Sequence, residues 1–277
     1  MGKNVVYNGG MKNEILKLFS AHKIEYVGFL PFERCRVNKP HLLRGCGFEP
    51  KSAVMFLVPY YTGEHPGRNL SLYAVSRDYH RYFAALFSSL EKELSLTFPE
   101  YRFKGFSDHS PIGETYAAAL AGLGRIGDCY QLINDAYGSY TFIGELFTDA
   151  PLDACDVLDE PRLCEHCGAC RKSCPSPDHC LSAITQRKGV LTDGEIAIMR
   201  KEGTVWGCDR CQSVCPHNRS PKTTPIAFFY QKQTPRLTAS SVKEMTDEDF
   251  LERAYSWRGR EVILRNIEAL EKDEPYL

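Results

Sequence analysis

The chain lacks three features that would take it outside ordinary globular proteins. Among its 277 residues, no apolar run approaches the ~20 residues of a membrane span, and one of the longest, residues 53–58, has only strand length. The net charge is −1, so no global basic field attracts nucleic acid. Residues 1–12 lack the apolar core of a signal peptide. We therefore expect a cytoplasmic protein with no membrane partner, in a compartment that keeps cysteines reduced.

Cysteine is the residue that the chain has in excess. Of the 12 cysteines, eight lie within the 52 residues from Cys164 to Cys215. That local density is typical of a site built from thiolates. Because a reducing compartment disfavours disulfides, the eight cysteines are predicted to ligate metal ions or iron-sulfur clusters.

The spacing of the first four of these cysteines favours an iron-sulfur cluster. Two-residue gaps separate Cys164, Cys167 and Cys170, and Cys174 follows after three residues and precedes a proline. This is the run that folds around a [4Fe-4S] cube, and in two-cluster proteins its fourth cysteine ligates the other cube. The proline ends the tight loop because it fixes φ and removes a backbone donor.

A second, incomplete run follows the first. Cys208, Cys211 and Cys215 repeat its last three positions, again before a proline, and Cys180 is available as the missing ligand. Exchange of the fourth ligands predicts one cluster on Cys164, Cys167, Cys170 and Cys215 and a second on Cys174, Cys180, Cys208 and Cys211. Two zinc sites of four thiolates are the competing interpretation. Zinc, however, does not require three cysteines at successive two-residue gaps or a repeated Cys-Pro ending.

The residues before the cysteine-rich segment predict alternating helices and strands. We expect helices over residues 11–21 and 72–96 and strands over residues 24–30, 53–59, 102–106 and 139–147. The strand at 53–59 is expected to be buried on both faces because its apolar residues run without alternation. Ser110 followed by Pro111 suits the start of a further helix. The alternation indicates an α/β layered domain.

These patterns predict three parts. Residues 1–150 form the α/β domain, residues 151–222 carry the clusters, and residues 223–277 form a helical tail that packs on the first domain. About 160 residues precede the first cluster cysteine, which is too many for a plain ferredoxin. We therefore expect the clusters to relay single electrons to a site in the first domain.

A glycine motif in the first domain matches a nucleotide fingerprint only in its spacing. Gly122, Gly124 and Gly127 have the GxGxxG pattern, and Glu145 lies 18 residues beyond Gly127. The fingerprint follows a strand and opens a helix, whereas here an alanine-rich, helix-like run comes first and a strand follows. We interpret the glycines as a turn that lets the backbone approach a large flat group.

Several segments together resemble the epoxyqueuosine reductase family, corrinoid and iron-sulfur enzymes of tRNA modification. The resemblance covers about residues 24–270, and its segments follow the family's order: Ser76-Arg77-Asp78-Tyr79-His80, Ser107-Asp108-x-x-Pro111, Ala121-Gly-Leu-Gly-x-Ile-Gly127, Gly138-Ser139-Tyr140, Gly144-Glu145-Leu146-x-Thr148-Asp149, Trp206 to Asn218, and Ile263-Leu264-Arg265-Asn266. The segment that starts at Cys180 resembles the family segment carrying the lone cluster ligand. Longer members add a C-terminal helical-repeat domain, so the chain resembles a short form without it.

The resemblance implies a fold of α+β or α/β class, in which a reductive-dehalogenase-like corrinoid-binding domain precedes a ferredoxin-like domain with two [4Fe-4S] clusters. It implies a base-off cobalamin between the two, which would remove the epoxide oxygen of epoxyqueuosine in tRNA to give queuosine. An external low-potential donor would supply the electrons. The family's proton-donating aspartate matches Asp108, which on its residues alone is a turn or cap residue before Ser110 and Pro111.

The same resemblance implies the residues that contact the corrinoid. These are Asp108, Gly127, Cys129, Leu132, Ile143, Asp209 and Arg210. Where family members usually have Trp-Ile-Gly-Lys-Asn, this chain has Arg125-Ile-Gly-Asp128-Cys129, which replaces a cation with an acid. Two alternatives stay open: a related corrinoid iron-sulfur reductase with another substrate, and an electron carrier or reductive activator without a substrate of its own.

Overall fold

The computed structural model describes residues 8–152 and 157–271, over which the chain forms ten α-helices and six strands. The helices are α1 (Asn8–Ala21), α2 (Tyr79–Thr97), α3 (Glu114–Leu120), α4 (Ala169–Lys172), α5 (Leu181–Gln186), α6 (Asp193–Glu202), α7 (Arg210–Ser213), α8 (Ala239–Glu244), α9 (Asp247–Leu251) and α10 (Arg260–Glu271). The strands are β1 (Val27–Pro31), β2 (Ser52–Pro59), β3 (Phe103–Phe106), β4 (Arg125–Ile126), β5 (Leu132–Ile133) and β6 (Thr141–Thr148). None of these helices combines the length and apolarity needed to cross a bilayer.

Contacts divide the chain into two units whose limits differ from the predicted boundaries at 150 and 222. The first unit contains residues 1–59 and 82–167, and the second contains residues 60–81 and 168–277. The segment 60–81 groups with C-terminal residues because Leu70 and Ala74 share a hydrophobic core with Trp206. Since those contacts join positions far apart in the chain, local sequence patterns do not reveal them.

The first unit is built on a four-stranded sheet of order β1-β2-β6-β3, in which every pairing is antiparallel. β2 is buried along its whole length, as its unbroken apolar run predicted. Helices packed on an antiparallel sheet belong to the α+β class. Of the two predicted fold classes, α+β is therefore confirmed, and the α/β layering inferred from the alternation of elements is wrong.

Aromatic rings cover one face of this sheet. The rings of Phe19 and Phe56 lie 4.5 Å apart, and Phe83 lies 6.1 Å from Phe56. A Cβ added to Gly144 of β6 would lie 2.2 Å from the Phe56 ring. Glycine is required there because the ring occupies the space that any side chain would fill.

The opposite face of the sheet packs against α3, whose residues 117–120 are fully buried. Three successive alanines in this stretch let the helix approach β6 closely. The helix begins at Glu114 rather than at Pro111, so the predicted start is wrong. The Ser110 hydroxyl instead donates to Glu145 and accepts the backbone N–H of Ile112, ahead of the helix.

The glycine motif follows α3 and leads into the β4–β5 hairpin, the reverse of the nucleotide fingerprint, as predicted. Gly122 ends the helix with φ +76°. A Cβ on Gly124 would lie 2.5 Å from the carbonyl oxygen of Ile133. The close approach at Gly124 is therefore to the chain's own backbone, and it requires no large flat group.

In the second unit, the C-terminal helices form one core and α5 and α6 contribute to another. Val242, Ile263 and Ile267 pack with Leu70 and Trp206. A smaller core joins α5, α6 and α10. The two short helices that carry cluster-motif cysteines, α4 and α7, pack against each other.

Candidate functional site

Asp108 lies in the turn that follows β3, and its side chain is exposed. Its φ of +62° is a left-handed conformation that aspartate tolerates better than most side chains do. The backbone N–H of Asp108 donates to Oε1 of Glu114 at 2.8 Å. Asp108 is therefore a turn residue held by α3, and it does not cap that helix, whose N-cap is Gly113.

Glu145 lies beneath this turn, on β6, and its exposed fraction is 0%. Its Oε2 accepts a hydrogen bond from the Ser110 hydroxyl. Its Oε1 is also buried, and no donor among the described residues reaches it. Burial raises the pKa of Glu145 well above its usual range, and the charge of neighbouring Glu114 raises it further.

Glu114 is the second member of this carboxyl pair, and it is half-buried. Burial raises the pKa of Glu114 to about 7, against the lowering effect of the hydrogen bond from Asp108. The charge of Asp108 raises this pKa and that of Lys39 lowers it, both by smaller amounts. Nearby, burial and then the charge of Glu145 raise the pKa of the Cys35 thiol to about 12.

Asp108 and Glu114 line a cavity of about 440 Å³ within the first unit. Its wall includes Arg36, Lys39 and Tyr116, and the guanidinium of Arg36 lies 3.5 Å from the centre of the Tyr116 ring. The cavity thus offers two cations, an aromatic face and two carboxyl groups. This combination suits a polar ligand whose oxygen atoms gain protons or negative charge.

Cys164, the first predicted cluster ligand, lies beside the β4–β5 hairpin, and its backbone N–H donates to the carbonyl oxygen of Ile126 at 3.0 Å. The ligand atoms of Cys164, Asp128 and His166 lie within 4.8 Å of one another. Nδ1 of His166 is 2.8 Å from Oδ1 of Asp128. In residues 8–152 and 157–271 this is the only such trio, and its sulfur, nitrogen and oxygen donors can hold one cation.

Two of the predicted cluster ligands in the second unit, Cys180 and Cys208, lie close together. Burial raises the pKa of the Cys208 thiol, and the charges of Asp209 and then Cys180 raise it further, so Cys180 and Cys208 are neighbours. These two belong to the same predicted cluster. All eleven cysteines in the described residues are free of disulfides, whereas Cys155 lies outside those residues. Reduced, clustered thiols fit the donor set that iron-sulfur cubes need.

Asp209 and Arg210, two predicted corrinoid contacts, line a cavity of about 320 Å³ in the second unit. The Asp209 carboxylate is buried and accepts hydrogen bonds from the Ser71 hydroxyl and from the backbone N–H of Leu72. It also pairs with Arg68 at 2.8 Å. Arg210 pairs with Glu202 at 2.5 Å. Asp209 therefore holds the segment from Arg68 to Leu72 in place.

The remaining predicted corrinoid contacts lie in or near the β4–β5 hairpin and on β6. Gly127 begins the hairpin loop, where its N–H donates to the carbonyl oxygen of Gln131 at 2.9 Å, and Cys129 lies within that loop. Leu132 is buried in the core beneath the sheet, and Ile143 packs against the same core. The apolar side chain of Leu132 is therefore explained by its place in this core, without a corrinoid contact.

No sequence pattern singled out Glu114, Arg68 or Ser71, and Glu145 appeared only in the nucleotide spacing and in one family-like segment. One local signal was present. Glu145 is an acidic residue inside a strand otherwise made of apolar, aromatic and small residues, a pattern that indicates a buried carboxyl group. No comparable signal marks Glu114 or Arg68.

Comparison with known proteins gives one consistent result. No protein-family model matches the chain. The epoxyqueuosine reductase of Listeria monocytogenes is 31% identical over 209 residues, which are 68% of this chain and 53% of that protein. The epoxyqueuosine reductase of Pseudomonas aeruginosa is 32% identical over 216 residues, or 72% of this chain and 58% of that protein. The chain thus spans little more than half the length of these relatives.

A solved structure extends the likeness to the fold. An epoxyqueuosine reductase crystallised with an epoxyqueuosine-modified tRNA stem loop superposes with a TM-score of 0.74 at 21% identity. The match covers 94% of this chain and 81% of that one. Taken with the sequence identities, this shared fold shows that the chain belongs to the epoxyqueuosine reductase family.

Proposed function

We propose that the chain is a cobalamin-dependent iron-sulfur reductase that removes the epoxide oxygen of epoxyqueuosine in tRNA, giving queuosine in the cytoplasm. The family relationship supports this proposal, as does the relative that binds an epoxyqueuosine-modified tRNA stem loop. Because the chain spans little more than half the length of its curated relatives, the tRNA substrate and the external low-potential electron donor are part of the proposal.

The observation that carries the proposal is the position of Asp108. Its turn places an exposed carboxyl group on the wall of a cavity that also contains Arg36 and Lys39. Removal of an epoxide oxygen as water consumes two electrons and two protons and leaves a carbon–carbon double bond. A carboxylic acid at the cavity wall can donate one of these protons to the departing oxygen.

The proposed cofactors follow from the donor sets of the chain. One [4Fe-4S] cluster would be held by Cys164, Cys167, Cys170 and Cys215 and the other by Cys174, Cys180, Cys208 and Cys211. The neighbouring thiols of Cys180 and Cys208 support the second set. When bound, cobalamin supplies the reducing chemistry, and the residues proposed to contact it are Asp108, Gly127, Cys129, Leu132, Ile143, Asp209 and Arg210.

One feature favours a second candidate, a related corrinoid iron-sulfur reductase with another substrate. Asp128 stands where family members usually have lysine, and it is bound to His166 at 2.8 Å. The hairpin therefore offers an acid–imidazole pair in place of a cation. A substrate with less negative charge than tRNA would suit that surface better.

The test is direct turnover by the full chain. The protein is purified without oxygen, reconstituted with iron, sulfide and cobalamin, and given low-potential electrons and tRNA that contains epoxyqueuosine. Mass spectrometry of the nucleosides should show the loss of one oxygen atom. Asp108→Asn should reduce turnover about 100-fold or more, since amides do not donate the required proton. Asp135→Asn changes an exposed aspartate of the same unit and should leave turnover intact.

Each other outcome excludes a specific part of the proposal. Full turnover by Asp108→Asn would remove Asp108 from its role. A base-off cobalt spectrum without conversion would favour the second candidate. Clusters that assemble without any corrinoid uptake would leave the electron carrier as the function.

A further inference from the structure

We propose that Glu145 keeps its proton at neutral pH, donates it in a hydrogen bond to Glu114, and through Glu114 positions the Asp108 turn. The consequence for turnover rests on the proposed function, whereas the proton on Glu145 is a property of the fold alone. Glu114 and Glu145 are positioning residues in this scheme, since they act through Asp108.

Oε1 of Glu145 is buried, and no donor among the described residues reaches it, although Oε2 accepts from Ser110. A buried acceptor without a partner costs about 1–3 kcal/mol, and more if it is charged. A proton makes this carboxyl a donor, and Glu114 is the carboxyl with which it shares a side-chain hydrogen bond.

Among the described residues, no cation compensates a charge on Glu145. Its neighbours in the adjacent strands are Met55 and Phe106, which are apolar. The titratable groups that act on it or are acted on by it are Glu114 and the thiol of Cys35. A carboxylate in such surroundings would be a buried charge without a partner, so the protonated form is favoured.

The charges that act on Glu114 differ from those on Glu145. Lys39 favours its ionised form, whereas Asp108 and burial oppose it. Arg36, on the same cavity wall, is engaged with the ring of Tyr116. Glu114 therefore carries whatever negative charge the pair holds, and Glu145 retains the proton.

The carboxyl pair of Glu114 and Glu145 is linked to Asp108 through the backbone of its turn. The left-handed backbone of Asp108, with φ +62°, is an unfavourable conformation that needs support from its surroundings. The hydrogen bond from its N–H to Oε1 of Glu114, at 2.8 Å, provides that support. Glu145 fixes the other side of the Glu114 carboxyl, so the three residues set where the acid lies on the cavity wall.

The first experiment detects the proton without any turnover. Infrared spectra of the full chain, purified without oxygen, are recorded from pH 5 to 8 with and without ¹³C-glutamate labelling. A labelled carboxylic acid C=O band should persist at pH 8 and disappear in Glu145→Gln. Glu100→Gln, a change at an exposed glutamate of the same unit, should leave the band unchanged. A wild-type spectrum with no acid band at pH 8 would overturn the inference.

Glu114→Gln provides the same test if Glu145→Gln does not fold. Replacing the carboxylate acceptor by an amide weakens the hydrogen bond from Glu145. The acid band should therefore move to higher frequency and remain present. An unmoved band would show that Glu145 does not donate to Glu114.

The second experiment separates positioning from mere stability. Glu114→Ala should lower kcat about tenfold or more with little change in KM, because the acid is misplaced while the cavity remains. Glu114→Gln should restore most of the lost kcat, since its amide oxygen still accepts the N–H of Asp108, and the remaining deficit should reflect the weaker hydrogen bond from Glu145. Equal kcat in Glu114→Ala and wild type would contradict the positioning role.

The two proposals fail separately. If the loaded wild type does not convert epoxyqueuosine, the proposed function fails while the infrared band still decides the state of Glu145. If the wild type converts its substrate but shows no acid band, only the present inference fails.

Discussion

Asp209 in the second unit and Glu145 in the first are both buried carboxyl groups, but their surroundings differ in charge. Asp209 faces the guanidinium of Arg68 at 2.8 Å and accepts hydrogen bonds from Ser71 and Leu72. Glu145 faces another carboxyl group and a hydroxyl. A buried acid is stabilised either by a cation or by a proton. The first arrangement fixes a segment of the fold, and the second creates a group that can take part in proton chemistry.

The largest expected effect separates these two acids at pH 8. Asp209→Ala leaves Arg68 without its partner and removes two hydrogen bonds, so unfolding should become easier by about 4 kcal/mol. Glu145→Gln keeps the shape and neutrality of a protonated carboxyl and should not lower stability at pH 8, because the wild-type carboxyl must gain a proton on folding and the amide need not. Urea unfolding of the full chain under nitrogen measures both. Equal losses would show that Glu145 is also a paired anion.

The next effect is the pH dependence of stability. Between pH 4.5 and about 7, Glu114 and Glu145 hold protons in the folded state that unfolded glutamates have lost, because the pKa values of both are raised on folding. The contribution of the pair is therefore present at acid pH and decreases as pH rises through this window, by about 3 kcal/mol for Glu114 alone. The unfolding free energy of Glu145→Gln minus that of wild type should therefore rise with pH through this window, because the variant lacks the Glu145 proton. The same difference for Glu100→Gln should be flat. A difference that changes in the opposite direction would contradict the raised pKa.

A smaller effect compares the two serines. Ser71 donates to the carboxylate of Asp209, and Ser110 donates to the proposed neutral acid Glu145. Hydrogen bonds to charged groups contribute about twice as much as those to neutral ones. Ser71→Ala should therefore cost about 2 kcal/mol and Ser110→Ala about 1 kcal/mol, measured by urea unfolding at pH 8. A reversed order would place the charge on Glu145.

The cysteine site could be predicted from the sequence because its ligands are of one type and mostly close together in the chain. The two-residue gaps between Cys164, Cys167 and Cys170 are by themselves enough to predict an iron-sulfur site. The role proposed for Asp108 came from the family resemblance, since the residues around it indicated only a turn. The turn itself is present, whereas the predicted helix start at Pro111 is not.

The acid pair and the limits of the two units could not be predicted in this way. Ser110 and Glu145 are 35 residues apart, and they meet because α3 packs on β6. Ser71 and Asp209 are 138 residues apart. Contacts of this kind depend on tertiary packing, which leaves no periodic signal in either segment. The antiparallel strand order of the sheet could not be predicted from the sequence for the same reason.

Metal analysis of the full chain, purified and reconstituted without oxygen, tests most directly the claim that eight cysteines hold two four-iron clusters. We expect about eight irons with matching sulfide per chain, no zinc, and a decrease to about four irons in Cys180→Ala. Zinc bound in thiolate sites, or an iron content that Cys180→Ala leaves unchanged, would contradict it.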